Sequence, residues 1–109
     1  MSIEWKTLRA ELPEDVRARL DAKREERRLG KALAEVRKAM PATQQEVATR
    51  AAMTQNTVSK IESADDMLIS SIVRYMHSIC GSVELVLKTP DGTVRRVDFD
   101  PEIYVRQPA

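Results

Sequence analysis

The sequence is poor in several residue types that whole function classes depend on. It holds one cysteine, three glycines, one histidine and only four aromatic side chains in 109 residues. A lone Cys80 excludes a disulfide within the chain. Three scattered glycines build no phosphate-cradling loop. One histidine, with no nucleophile and base in a credible pocket, gives enzymatic chemistry no footing. Trp5, Tyr75, Phe99 and Tyr104 are too few and too dispersed for a platform that stacks RNA bases. No apolar run approaches the roughly 18 residues of a membrane span, and "MSIEWKTLRAEL" lacks the apolar core of a signal peptide. The expectation is a cytoplasmic protein with no membrane partner. His77 and Cys80 could put two metal ligands on one helix face, but two further ligands are missing. No metal and no cofactor are expected, and Cys80 reads as a small buried hydrophobe.

Charge is plentiful but balanced. Charged residues make up 32% of the chain and the net charge is +1. Residues 1–40 carry 11 Lys+Arg against 8 Asp+Glu, 41–80 carry 3 against 4, and 81–109 carry 4 against 5. The basic excess is thus N-terminal, densest at "KREERR". Such a run suits a solvated helix face, or an arm facing phosphate or a partner.

The periodicity divides the chain into four parts. Residues 1–30 read as an irregular arm to about residue 12, followed by a charged helix. Pro13, Glu14 and Asp15 suit a helix start, with proline in the first turn and acids at the positive end of the dipole. Strong helix formers continue to Met40, as one helix or two joined near Gly30, and Pro41 ends the run. Residues 31–80 add three shorter helices. Thr43 and Glu46 form a T-x-x-E capping box, and Val47, Ala48 and Ala51 make an inner face. After a break at Ala52–Met53, Thr54 caps the next helix, with Val58 and Ile61 inward. A last helix spans roughly 68–80, its apolar positions three and four apart, with Gly81 as its terminator. Residues 81–99 switch to a period of two, and "PDG" at 90–92 signals a turn. This predicts a β-hairpin. A lone hairpin is marginal in water, and its strands carry apolar residues on both faces. Val83, Leu85, Leu87, Val94 and Val97 are therefore the expected dimerisation residues of a shared sheet. Residues 100–109 read as a loose tail.

The stretch "TQNTVSKIES", residues 54–63, points toward function. Gln55, Asn56, Thr57, Ser59 and Lys60 face outward, and none is acidic. An idle surface helix usually carries Glu and Lys. A helix that reads base edges wants short side chains that donate and accept. Gln and Asn pair with adenine, and Lys reaches guanine N7 and O6. Two short helices with a tight turn can place the second in the major groove of B-DNA. Glu62 at the far end is expected to pair with a base such as Arg50.

"TQQEVATRAAMTQNTVSKIES" resembles the helix-turn-helix of the Xre/Cro family, the phage-repressor class of bacterial regulators. The resemblance covers roughly 31–80. It implies a mainly α, lambda-repressor-like domain, here with an N-terminal helical extension and a C-terminal β-hairpin. The charged N-terminal segment, "IVRYMHSICGSVELVL" and "PDGTVRRVDF" look like HigA-type antitoxins, which accompany RelE/HigB-like ribonuclease toxins. By this resemblance Gln44 and Thr54 touch phosphate. Gln55, Asn56 and Lys60 read bases, Ser59 lies near backbone or base, and Thr57 meets a thymine methyl or phosphate. The family commonly has Gly in the turn, where this chain has Ala52, at a cost of about 1 kcal/mol for positive φ. The expected partners are a palindromic double-stranded operator, a toxin and a second copy. Trp5, Leu8, Val16 and Leu20 are candidate toxin anchors, and Glu14, Asp15, Asp21, Glu25 and Glu26 are acids that could cover a basic cleft. The alternatives are a stand-alone repressor, or an interaction module that has lost DNA binding.

Overall fold

The computed structural model describes residues 4–105. Six helices and one hairpin follow in order: α1 (Trp5–Ala10), α2 (Glu14–Ala39), α3 (Gln44–Ala51), α4 (Gln55–Glu62), α5 (Ile69–Ser78), β1 (Glu84–Lys88), β2 (Val94–Asp98) and α6 (Pro101–Val105). The chain is mainly helical, with a small antiparallel hairpin near its C-terminal end. No helix among the described residues is long and apolar enough to cross a membrane.

Two segments expected to be irregular are helical. The arm forms α1, although none of its residues is buried. It is held to α2 from outside, where Arg9 Nε donates to Asp21 Oδ1 at 2.8 Å. The segment after the hairpin forms α6, which packs back on α5, with the Tyr104 ring edge-on to Phe99 at 6.3 Å. Residues 106–109 of the expected tail, and 1–3 of the expected arm, lie outside the described residues. The long helix α2 runs unbroken through Gly30. That glycine is required for packing. A Cβ there would lie 2.5 Å from the Glu62 carbonyl oxygen, so α2 can cross the end of α4 only where no side chain intervenes.

The core lies among α2, α3, α4 and α5. Leu33, Val47, Ala48, Val58, Ile61, Ile72, Tyr75 and Ile79 form it, with Met53, Met67, Met76 and Val83 at its margin. The capping box at Thr43 is present in both directions: Glu46 N–H donates to Thr43 Oγ1 at 3.1 Å and Thr43 N–H to Glu46 Oε1 at 3.2 Å. Donation from Thr43 N–H holds the Glu46 carboxyl below its usual range.

The three short core helices stop in one way. After α3, Met53 N–H donates to Ala48 O and Ala52 N–H to Thr49 O. After α4 the pair is Asp65 to Lys60 and Ala64 to Ile61, and after α5 it is Gly81 to Met76 and Cys80 to His77. Each is the paired 6→1 and 5→2 closure of a Schellman ending. The left-handed residue is Ala52 (φ 54°), Ala64 (φ 66°) and Cys80 (φ 62°), never a glycine. The terminator of α5 is thus Cys80 rather than Gly81. Cys80 is exposed, not buried as expected: it stands one residue past Ile79, the last residue at this helix end that joins the core.

In the hairpin, Leu85 pairs with Val97 and Leu87 with Arg95, while Glu84, Val86 and Lys88 pair with Asp98, Arg96 and Val94. Residues directly opposite share a face. One face is therefore Leu85, Leu87, Val97 and Arg95. The other is mostly charged, and Val94 lies on it, apart from the other residues expected for dimerisation. All ten strand residues are exposed. Asp91 closes the turn by accepting from the Thr89 hydroxyl and, at 3.0 Å, from Thr93 N–H, which lowers its carboxyl to about 2.

Candidate nucleic-acid interface

The segment "TQNTVSKIE" builds a short helix because its first residue caps it and its apolar residues share one side. Thr54 Oγ1 accepts from Thr57 N–H at 3.1 Å and lies 2.9 Å from the Thr57 hydroxyl. Val58 and Ile61 are fully buried. Their burial turns Gln55, Asn56, Ser59 and Lys60 outward, and all four are exposed. Among the described residues, none of these four side chains has a hydrogen bond or ion pair. Thr57 is half-buried and Thr54 exposed. The start of α3 joins this surface: Lys38, Gln44, Gln45 and Gln55 line one open hollow of about 500 Å³. Gln44 is less free than its sequence position suggests. It is half-buried, and its Nε2 donates to Glu62 Oε1 at 3.2 Å.

The far end of α4 is fixed by a buried polar cluster. Glu62 pairs with Arg37 of α2, not with Arg50, which instead reaches Glu46 at 3.4 Å. Arg37 Nε and Nη2 donate to the two Glu62 oxygens at 2.7 and 3.0 Å, and its Nη1 donates to Ala42 O at 2.9 Å. The Tyr75 hydroxyl lies 2.7 Å from Glu62 Oε2 and 3.1 Å from Leu33 O. One carboxylate thus ties α4 to α2, to the start of α3 and to α5. Burial pushes the Glu62 carboxyl up, but donation from Arg37, Tyr75 and Gln44 outweighs it and holds the group below its usual range. Burial, followed by the bond to Glu62, keeps the Tyr75 phenol protonated well above its ordinary range. Such a bidentate, fully satisfied pair fixes geometry more than it adds stability.

The bend between α3 and α4 has its own clamp. Arg74 Nη2, from α5, donates to Ala51 O at 2.7 Å and Ala52 O at 2.9 Å. A cation on the last carbonyls of α3 also matches the negative end of the helix dipole. The two acids beside Lys60 are engaged elsewhere. Asp65 accepts from Lys23 at 3.3 Å and from Ser63, while Asp66 accepts from Leu68 N–H and the Ser71 hydroxyl. First the bond from Lys23, then that from Ser63, lowers the Asp65 carboxyl.

Sequence reasoning missed Arg37, Tyr75 and Arg74. For Arg37 a signal existed: it follows Gly30 and Leu33 at spacings of three and four, on the buried stripe of α2. Arg74 and Tyr75 act across elements, and no local pattern marks them.

The expected toxin anchors are only partly united. Trp5 and Leu20 share a shallow hollow with Arg24 and Arg27; Leu8 is exposed and Val16 half-buried. The acids expected to cover a basic cleft are largely paired within the chain: Asp21 with Arg9, Asp15 with Arg19, Glu25 with Arg28 and Glu26 with Lys23. Among the described residues no group of three or more His, Cys, Asp or Glu side chains is placed to hold a metal ion. No protein-family model matches the chain, and no characterised protein or solved structure is detectably similar to it.

Proposed function

We propose that this chain is a sequence-specific DNA-binding protein of the helix-turn-helix kind, with α3 and α4 as the motif and α4 as the reading helix. One observation carries the reading. Gln55, Asn56, Ser59 and Lys60 stand exposed and unpartnered on a helix whose other side is fully buried. Side chains that donate and accept, without an outward acid, match base edges and do not repel phosphate. The Glu62 cluster and the Arg74 clamp support it further, because a base reader must hold its geometry before contact. Gln55, Asn56 and Lys60 read bases in this proposal. Thr54, Gln44, Ser59 and Thr57 meet the backbone or flank the bases.

One eight-residue helix reads few base pairs. The functional unit is a two-fold pair joined through the C-terminal hairpin, reading half-sites about 34–36 Å apart. Occupancy of such an operator excludes RNA polymerase and represses the gene beside it. In the narrower form of the proposal the chain is an antitoxin, whose α1 and first half of α2 bind a ribonuclease toxin. The exposed Trp5, Leu8 and Leu20 support that form.

Gel shift on the DNA upstream of the gene tests the first part. Gln55→Ala and Lys60→Ala should each weaken cognate binding by about 1–3 kcal/mol. A double variant that binds as well as the parent removes α4 as the reader. Paired expression tests the second part: the product of the adjacent reading frame should be toxic alone and co-purify with this chain. If no companion is recovered and growth is unaffected, the stand-alone repressor remains.

A further inference from the structure

The hairpin stands away from its own helices, and the chain carries a matching seat that it leaves open. Leu85, Leu87 and Val97 are 43%, 54% and 42% exposed. They share one face with a single charged residue, Arg95. At the hairpin's root, a mainly apolar hollow of about 260 Å³ is lined by Leu29 and Val36 of α2, Met76 of α5 and Val83, with Ser82 and Glu84, the latter paired with Arg96 at 3.1 Å, on its hairpin side. Leu29 and Val36 are themselves exposed. Val83 therefore joins hollow and hairpin face into one continuous apolar surface. Of the hairpin's strand residues only Glu84 reaches the hollow's wall, and all ten are exposed.

The charges choose the occupant. Glu35 lies three residues past Ala32 on α2, which by helical spacing sets it beside the Leu29–Ala32–Val36 stripe and outside the lining of the hollow itself. It is exposed and has no hydrogen bond or ion pair among the described residues. The same holds for Arg95. The apolar face thus carries one unpaired cation, and the apolar seat is rimmed by one unpaired anion. Both patches belong to the same chain, which is the condition for a closed two-fold interface.

We propose that the hairpin of each copy lays its Leu85–Leu87–Val97 face into the α2–α5 hollow of a second copy, with Arg95 of each pairing with Glu35 of the other. The inference rests on the two-fold pair proposed above and specifies how that pair is made. It makes the interface an exchange of arms rather than a pairing of strand edges. Glu35 and Arg95 are both exposed on the single copy, so exchanging their charges leaves the helical core intact.

Sedimentation equilibrium of four proteins decides it: the parent, Arg95→Glu, Glu35→Arg, and the double exchange, with far-UV circular dichroism as the folding control. The parent should dimerise, each single reversal should weaken the dimer at least tenfold, and the double should recover most of that loss. A parent dimer that ignores both single reversals, or a double no better than the singles, overturns the proposed seat and leaves an edge-paired dimer standing. A parent that stays monomeric at every concentration overturns the two-fold pair itself, a different result from the first.

Discussion

Replacing Ala52 by glycine should stabilise this protein. Ala52 holds φ at 54° and closes α3. A left-handed residue with a side chain is disfavoured by about 1–2 kcal/mol, and glycine removes that strain. Glycine also gives the unfolded chain more freedom, which returns about 0.4–1 kcal/mol. Ala52 is exposed, so no burial is lost, and the net gain should be about 0.5–1 kcal/mol. Ala64 has the same conformation, but it is only 2% exposed. Deleting its methyl forfeits about 0.8 kcal/mol of burial, so Ala64→Gly should fall near zero. Cys80 is exposed and should behave like Ala52. Urea unfolding of the three variants at one protein concentration gives the ranking directly, and Ala52→Gly should raise Tm by about 3–6 °C. Ala64→Gly stabilising as much as Ala52→Gly, or Ala52→Gly destabilising, would refute the strain-and-burial reasoning.

Gly30→Ala should destabilise by more than about 2 kcal/mol, because its methyl would meet the backbone oxygen of Glu62, which cannot swing aside; thermal unfolding measures it. Glu62→Ala should cost about 3–5 kcal/mol by leaving the buried Arg37 guanidinium without its counter-charge, and denaturant midpoints check it. The Glu62 carboxyl is held below its usual range, so its contribution is complete above the ordinary carboxylate pKa and disappears as pH falls through the lowered one. Urea midpoints taken from pH 6 down to pH 2 should therefore decline, and Glu62→Gln should flatten the decline. On the proposed DNA-binding reading, affinity for the upstream DNA should fall with added salt, with a modest slope suited to a chain of net charge +1; gel shifts across a salt series measure it.

Most helices were legible because their signals are local. The capping box at Thr43 and the cap at Thr54 set the starts of α3 and α4, and the spacing of Val58 and Ile61 fixed which side of α4 faces out. The hairpin was legible from alternation and a turn. The partner of Glu62 was not, because Arg50 and Arg37 are equally plausible bases in sequence and only the crossing of α2 over α4 selects Arg37. The exposure of Cys80 was not legible, because free cysteine is among the most often buried residue types and only the packing of the helix end shows that the core stops at Ile79. Helix α1 escaped because it has no side-chain cap and buries nothing; one ion pair to α2 is what marks it, twelve residues away in the chain.

The hairpin's separation from the helices also gives this chain two clocks. Amide hydrogens inside α3, α4 and α5 are released to solvent only when the core opens as a whole. Those of β1 and β2 are guarded by one neighbouring strand and little else, so in an isolated copy they should trade for deuterium far sooner. Anything that seizes loose backbone, such as a protease or an extended peptide, would find this element before α3, α4 or α5.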